Sequence, residues 1–258
     1  GLGCDIDNII VRGVDTDQSP YDSGSYASST TYVTGGAVVK ACKSMRRKIS
    51  EEAAAIMGLK ENQVTFDGET ISESDNPEHS MTLAELITSL EAGKGHMIEV
   101  TESHTSPVSP PPFMAGAAEI EVDLETGKIT PINYVAAVDC GTVINTNLAR
   151  VQAEGGIVQG MGMTLYEDVQ YTEAGKMKNR NFMSYKIPTR LDMGNIQVEF
   201  ESSYEETGPY GAKSIGEIVI NTPAPAIADA IYNATGLRFR TLPITAEQVM
   251  MGLLDKEK

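Results

Sequence analysis

The chain has 258 residues, 41% of them hydrophobic, with 36 acidic against 20 basic side chains and a formal charge of −16. That is enough apolar chain to bury a sizeable core in one large domain or two lobes. A surface this acidic repels nucleic-acid phosphates and anionic lipid, so neither is an expected partner. Its three cysteines, Cys4, Cys42 and Cys140, contain no Cys-x-x-Cys pair. Their number and spacing argue against a disulfide framework and against an iron–sulfur cluster on this chain. His79, His96 and His104 lack the i, i+4 spacing of a helical zinc pair. No apolar run reaches the length of a membrane span and the N-terminus carries no signal-peptide pattern, so a cytoplasmic protein is expected.

Taken in chain order, Asp7 to Gly13 reads as a strand and the Ser-rich stretch from Asp15 to Ser28 as a loop. Thr34 to Met57 reads as a long helix, with Val38, Val39, Ala41, Cys42, Met45, Ile49, Ala53 and Ile56 on its apolar positions and Gly58 as its left-handed stop. Asp67-Gly68, between Val64 and Ile71, is hairpin-turn chemistry. Thr82 and Glu85 form a capping box at the start of a second helix, expected to end at Gly93. The Pro-rich Ser106 to Pro112 segment is a connector, since proline cannot pair within a central strand.

Ile120 to Asp123 and Ile129 to Asp139 flank a Glu-Thr-Gly-Lys turn and read as a second hairpin. A similar turn separates Asp168–Tyr171 from Met177, and Ile196 to Phe200 is a further strand. Helices are expected over Pro223 to Thr235 and Thr245 to Leu254. Helices and strands interspersed without a regular βαβ period argue for an α+β fold, read as one domain over residues 1–258 with sub-lobes 1–95 and 96–258.

The chemistry concentrates in Gly211-Ala212-Lys213-Ser214-Ile215-Gly216-Glu217. Glycines there permit close backbone approach to a ligand, and the loop runs into a predicted helix whose first N–H groups are free for an anion. Glu217 is thereby held where it can act on something bound; on composition alone it is equally an ordinary solvated Glu at a loop-to-helix junction. Three other stretches share this small, polar, Gly-rich character: Ser23 to Val38, Val138 to Asn147 and Gln152 to Glu167. Hydroxyls at Ser28, Ser29 and Thr30 can grip ligand oxygens or simply cap the long helix. The glycines from Gly155 to Gly162 suit tight helix packing, and they lack the order of a nicotinamide site. Cys140, at the end of a strand, reads as structurally buried. Residue physics alone also admits a hydrolase that pairs Glu217 with Glu154 or Asp139, but without tryptophan the chain lacks the aromatic platforms of a glycosidase groove.

In this order the four segments resemble the C-terminal portion of the molybdopterin-binding subunit of the xanthine dehydrogenase and aldehyde oxidase family of molybdenum hydroxylases. The resemblance covers nearly the whole chain. It implies a domain that binds molybdopterin, in the cytosine dinucleotide form, and holds molybdenum through the pterin without a protein ligand. It implies oxidation of a purine- or pyridine-like heterocycle or an aldehyde with oxygen from water, Glu217 being the base that activates Mo–OH. Ala27, Ser28, Ser29, Thr30, Gln152, Lys213, Ser214 and Gly216 match cofactor-binding positions, and Tyr26 falls beside the substrate.

Lys213 is expected to meet a cofactor phosphate or temper Glu217, or else to be a surface lysine. Ser29 stands where many relatives carry arginine, and Ile218 where many carry proline. The family's N-terminal molybdenum-binding portion has no counterpart here, so the chain is expected to be a fragment or one half of a split site. Iron–sulfur and FAD subunits are the implied partners. The alternative is a binding subunit that keeps the fold without catalysis.

Overall fold

The computed structural model describes residues 1–13, 15–95 and 97–256, and its contacts divide the chain into two compact units. The first comprises Gly1–Gly24 and Val33–Pro107; the second comprises Ser25–Tyr32 and Val108–Lys258. The dividing point in the middle of the chain is therefore Pro107/Val108, and the turn before the long helix is counted with the second unit. Among the described residues no helix is long and apolar enough to cross a membrane.

In the first unit, helix α1 (Thr30–Met57, its first turn counted with the second unit) and helix α2 (Leu83–Lys94) accompany a three-stranded antiparallel sheet, β1 (Val64–Phe66), β2 (Thr70–Glu73) and β3 (Asn76–Thr82), in that order. Ile49, Ala53, Val64, Phe66, Ile71, Leu86 and Leu90 form its core. The predicted punctuation holds at two points. Gly58 is left-handed (φ 72°), and Thr82 and Glu85 make the reciprocal capping box. Helix α2 runs to Lys94, one residue past the expected stop, and Gly95 (φ 62°) supplies the left-handed cap.

Two expectations are corrected. Asp7 to Gly13 is not a strand: Ile6–Asn8 is a 3-10 turn capped by Asp5, and Ile9, Ile10 and Val11 stay exposed. A run of β-branched residues makes a strand only where another strand pairs with it. Helix α1 begins at Thr30, a turn before Thr34, because the Tyr26–Ser29 turn leads directly into it: both the N–H and the Oγ of Ser29 donate to Tyr26 O, at 3.1 and 2.6 Å.

An extended segment runs along α1 and is fastened at i, i+4 intervals on one helix stripe. Lys48 Nζ donates to Glu99 O (3.2 Å), Ser44 Oγ to Glu102 Oε1 (2.5 Å) and Lys40 Nζ to Ser103 O (3.1 Å). Next on the stripe, a Cβ on Gly36 would lie 2.6 Å from the His104 ring, so only glycine admits the imidazole there. His79 bonds Glu73 Oε2 at 2.9 Å, and His96 lies outside the described residues.

The second unit is built on the mixed sheet β4 (Phe113–Val122), β5 (Ile129–Asp139) and β6 (Asn195–Phe200), with β4–β5 antiparallel and β5–β6 parallel. The connection from β5 to β6 carries helix α3 (Thr146–Leu165), making one βαβ element inside an otherwise α+β arrangement. Helices α4 (Ile218–Asn221), α5 (Pro223–Thr235) and α6 (Ala246–Lys256) follow. Tyr134, Ala136 and Val138 of β5 meet Ile157 and Met161 of α3, Val219 of α4 and Ile227 and Ile231 of α5 in the core. Tyr134 buries its ring and bonds Thr222 Oγ1 through its hydroxyl at 2.8 Å. Gly116 gives that hydroxyl room, since a Cβ there would sit 2.1 Å from it.

Candidate functional site

Three of the Gly-rich segments, together with the Ser25–Tyr32 part of the fourth, meet in the second unit. Strand β5 ends at Asp139, and the following Cys140–Thr142 crosses the Gly211–Lys213 loop. Thr142 N–H donates to Gly211 O and Lys213 N–H to Cys140 O, both at 2.8 Å, with a bridge between Gly141 and Ala212. Gly141 (φ 69°) permits the crossing, because a Cβ there would lie 2.2 Å from Gly211 O. Just beyond, Asn145 caps α3 by accepting from Leu148 N–H at 3.0 Å. The crossing and the start of α3 enclose a cleft of about 300 Å3 whose lining includes Thr31, Cys140, Asn145, Gln152, Lys213 and Ile215.

Two residues beyond Ile215 stands Glu217, immediately before α4 and exposed, with no capping bond of its own. Ser28 Oγ donates to Glu217 Oε2 at 3.0 Å. Gly216 packs beneath Ser28: a Cβ there would approach Ser28 Oγ to 2.8 Å and Gln152 Nε2 to 3.6 Å. Ser28, Gln152, Gly216 and Glu217 are thus immediate neighbours. Ala27 and Ser28 hold left-handed backbone (φ 49° and 55°). Each such non-glycine residue costs on the order of 1–3 kcal/mol, and this strain collects at ligand clamps.

The remaining expected residues divide by what already engages them. Among the described residues, the exposed amide of Gln152 and the hydroxyls of Thr30 and Ser214 make no side-chain hydrogen bond, and Ser214 is only 9% exposed. Ser29 Oγ is used within its own turn, and the Tyr26 ring is 70% exposed. Lys213 is not a surface lysine. Its Nζ pairs with Asp139 Oδ2 at 2.6 Å and donates to Pro111 O at 3.3 Å, so the ammonium expected at a phosphate is held by a carboxylate. Cys140 is buried, and its thiol titrates above the ordinary range, through burial first and then the Asp139 charge.

The glycines of α3 serve two ends. A Cβ on Gly156 would strike Val219 Cγ2 at 2.2 Å, and one on Gly160 would meet Ile220 O and Pro223 at 2.8 Å, so these two let α3 pack on the α4–α5 segment. Gly155 has nothing within 4 Å and borders a second cleft, of about 510 Å3, with Glu154 and Arg190. Sequence reasoning gave no part to Ser203, whose Oγ donates to Asp139 Oδ1, and took Asp139 only as a partner for a hydrolytic Glu217. The residue after a strand's last hydrophobic position, followed by Cys-Gly, was the one available signal for Asp139. Among the described residues no cluster of His, Cys, Asp and Glu has the makings of a metal site.

These residues fit a pterin-bound cofactor. The unengaged Gln152 amide offers both a donor and an acceptor, and the strained Ala27–Ser28 turn brings backbone and hydroxyls beside Glu217. Residues 1–194 match the molybdopterin cofactor-binding domain family. The chain is 32% identical over 257 residues to the probable hypoxanthine oxidase XdhD of Escherichia coli strain K12, covering 98% of this chain and 26% of that protein. It is 30% identical over 244 residues to the putative xanthine dehydrogenase molybdenum-binding subunit XdhA of the same strain, covering 93% of this chain and 32% of the subunit.

The crystal structure of quinoline 2-oxidoreductase from Pseudomonas putida 86 superposes with a TM-score of 0.76 at 25% identity, over 93% of this chain and 32% of that one. The chain therefore spans about a quarter to a third of the length of these relatives. It belongs to the molybdopterin cofactor-binding domain family, as the type found in the C-terminal portion of xanthine dehydrogenase and aldehyde oxidase molybdenum-binding subunits.

Proposed function

We propose that the chain is the molybdopterin-binding component of a molybdenum hydroxylase, one that oxidises a purine- or pyridine-like heterocycle, or an aldehyde, with oxygen from water. The observation that carries this reading is the grouping of Ser28, Gln152 and Gly216 about Glu217 in a chain of this family. Ser28 holds Glu217 Oε2, while among the described residues Oε1 has no hydrogen-bond partner and can receive a proton. Glu217 is then the general base, taking the proton of the attacking oxygen at Oε1.

The cofactor, once bound, supplies the oxygen-transfer and electron-accepting chemistry. Gln152 meets the mixed pterin edge with an amide that both donates and accepts. The Ala27–Thr30 turn, with Ser214 and Gly216, would hold the cofactor beside Gln152, and Tyr26 offers an aromatic face for stacking a flat substrate. Hypoxanthine and xanthine are purines and quinoline is a fused pyridine, so the relatives' names favour a nitrogen heterocycle over an aldehyde. Three cysteines without a Cys-x-x-Cys pair do not suit an iron–sulfur cluster, and iron–sulfur and FAD subunits complete the proposed assembly, with cytosine dinucleotide as the form of molybdopterin.

Substituting Glu217→Gln in the assembled enzyme keeps size and shape but removes the base. Turnover should fall by at least about 100-fold with molybdenum content unchanged. Unchanged turnover would remove the base assignment.

A further inference from the structure

The loop carrying Glu217 is fastened four residues earlier, at Lys213, and the fastening ends on Asp139. Lys213 Nζ lies 2.6 Å from Asp139 Oδ2, with 8% of the lysine side chain and 20% of the aspartate side chain exposed. The other carboxylate oxygen is occupied as well: Ser203 Oγ donates to Oδ1 at 2.5 Å and Gly141 N–H at 3.0 Å. The ammonium has Pro111 O as a second acceptor and stands 5.3 Å from the centre of the Phe113 ring. With the two backbone bonds between Cys140–Thr142 and Gly211–Lys213, this network ties the loop to the end of β5 at both main-chain and side-chain level.

Taking two charges out of water is repaid only where the geometry is good and the remaining lone pairs are satisfied, as they are here, so the pair can hold a charge buried beside the loop at no net loss. What it does supply is a single arrangement. The ammonium has its acceptors in one geometry only, and displacing the loop would strand either charge.

We propose that Asp139, acting through Lys213, is a positioning residue for Glu217: the ion pair sets the course of the Gly211–Glu217 loop and thereby the reach of Glu217 Oε1. The assignment rests on Glu217 as the base. It also gives Lys213 a role distinct from contact with a cofactor phosphate, since the same ammonium is spoken for.

The test compares Asp139→Asn, Lys213→Met, the double variant and Glu217→Gln in the assembled, metal-loaded enzyme, with activity expressed per molybdenum. Asp139→Asn preserves shape and the acceptor for Ser203 and Gly141. It should lower kcat per molybdenum about 10- to 100-fold while KM and molybdenum content stay within twofold, the scale expected of a small misplacement of a reacting group. The double variant should be no worse than the more damaging single variant, because both break one link. Independently of turnover, amide exchange in peptides spanning residues 205–217 should quicken by about tenfold or more as the Lys213 amide loses protection.

Full activity per molybdenum in Asp139→Asn, with Glu217→Gln inactive, would overturn the positioning role alone. Activity retained in Glu217→Gln would instead overturn the underlying base assignment. Loss of molybdenum as the main effect of Lys213→Met, with kcat per molybdenum intact, would return the lysine to the cofactor and overturn the proposal. Should Asp139→Asn fail to assemble, Ser203→Ala removes one bond of the network. It should give a smaller drop in kcat per molybdenum, about threefold, and no drop would count against the proposal.

Discussion

At Asp139, burial pushes the carboxyl towards a higher pKa, but the hydrogen bonds from Lys213, Ser203 and the Gly141 N–H, with the lysine's charge, hold it below the usual carboxylate range. A group whose folded pKa is depressed contributes stability that is fully present above its unfolded value, near 3.9, and is lost as pH falls through the folded value. The ion pair is therefore intact across the neutral range and fails only in acid. Thermal unfolding followed from pH 6 to pH 2 should show a steeper loss below about pH 4 in the parent than in Asp139→Asn. Equal acid slopes would mean the carboxylate is not favoured in the folded state. Removing the cation alone, by Lys213→Met, should cost about 3 kcal/mol, the lower end for a broken buried pair because Asp139 keeps some solvent contact.

Little of this was legible from the residues. Gly216-Glu217 and Gln152 could be singled out as candidates from local chemistry and resemblance, but the Ser28–Glu217 bond joins positions 189 apart in the chain. Local spacing carries no information at that range. Lys213 read as a partner for a cofactor phosphate or for Glu217, or else as a surface lysine, and what holds it is a carboxylate 74 residues away.

Among the elements, α3 makes the sharpest contrast, since adjacent glycines on one helix have opposite surroundings. Gly155→Ala adds a methyl where nothing lies within 4 Å and should stabilise the chain by up to about 1 kcal/mol through helix propensity. Gly156→Ala forces the methyl against Val219 and should destabilise it by about 1–3 kcal/mol. Urea midpoints at unchanged slope measure both.

Elements with strong local signals were readable: the capping box at Thr82, the left-handed Gly58, the β4–β5 hairpin and the span of α5. The extended Ile9–Val11 run misled because strand formation depends on a partner and not on propensity. The start of α1 was missed because the turn at Tyr26–Ser29 is closed by serine bonds to a carbonyl, in left-handed backbone that Ala27 and Ser28 rarely adopt. Parallel pairing of β6 with β5 could not be read, because the connection between them is 55 residues long, 140–194.

For the whole molecule, composition pointed to an acidic chain with a sizeable core, and the order of the predicted elements pointed to mixed helices and sheets. The two units have separate cores, one about Ile71 and Leu86 and the other about Tyr134 and Ile157. Each of these residues is fully or almost fully buried. The proposed catalytic grouping belongs wholly to the second unit, including the short Ser25–Tyr32 stretch that precedes most of α1.

The central claim is that this chain holds a molybdenum cofactor beside Glu217, and the most direct measurement is molybdenum stoichiometry. The complex would be purified through a tag on this subunit from cells supplied with the metal. About one molybdenum per copy is predicted, with cytosine dinucleotide recovered from the released cofactor. A complex that assembles with its partners yet carries no molybdenum would contradict the claim and leave the Ser28–Glu217 contact a structural feature of the loop.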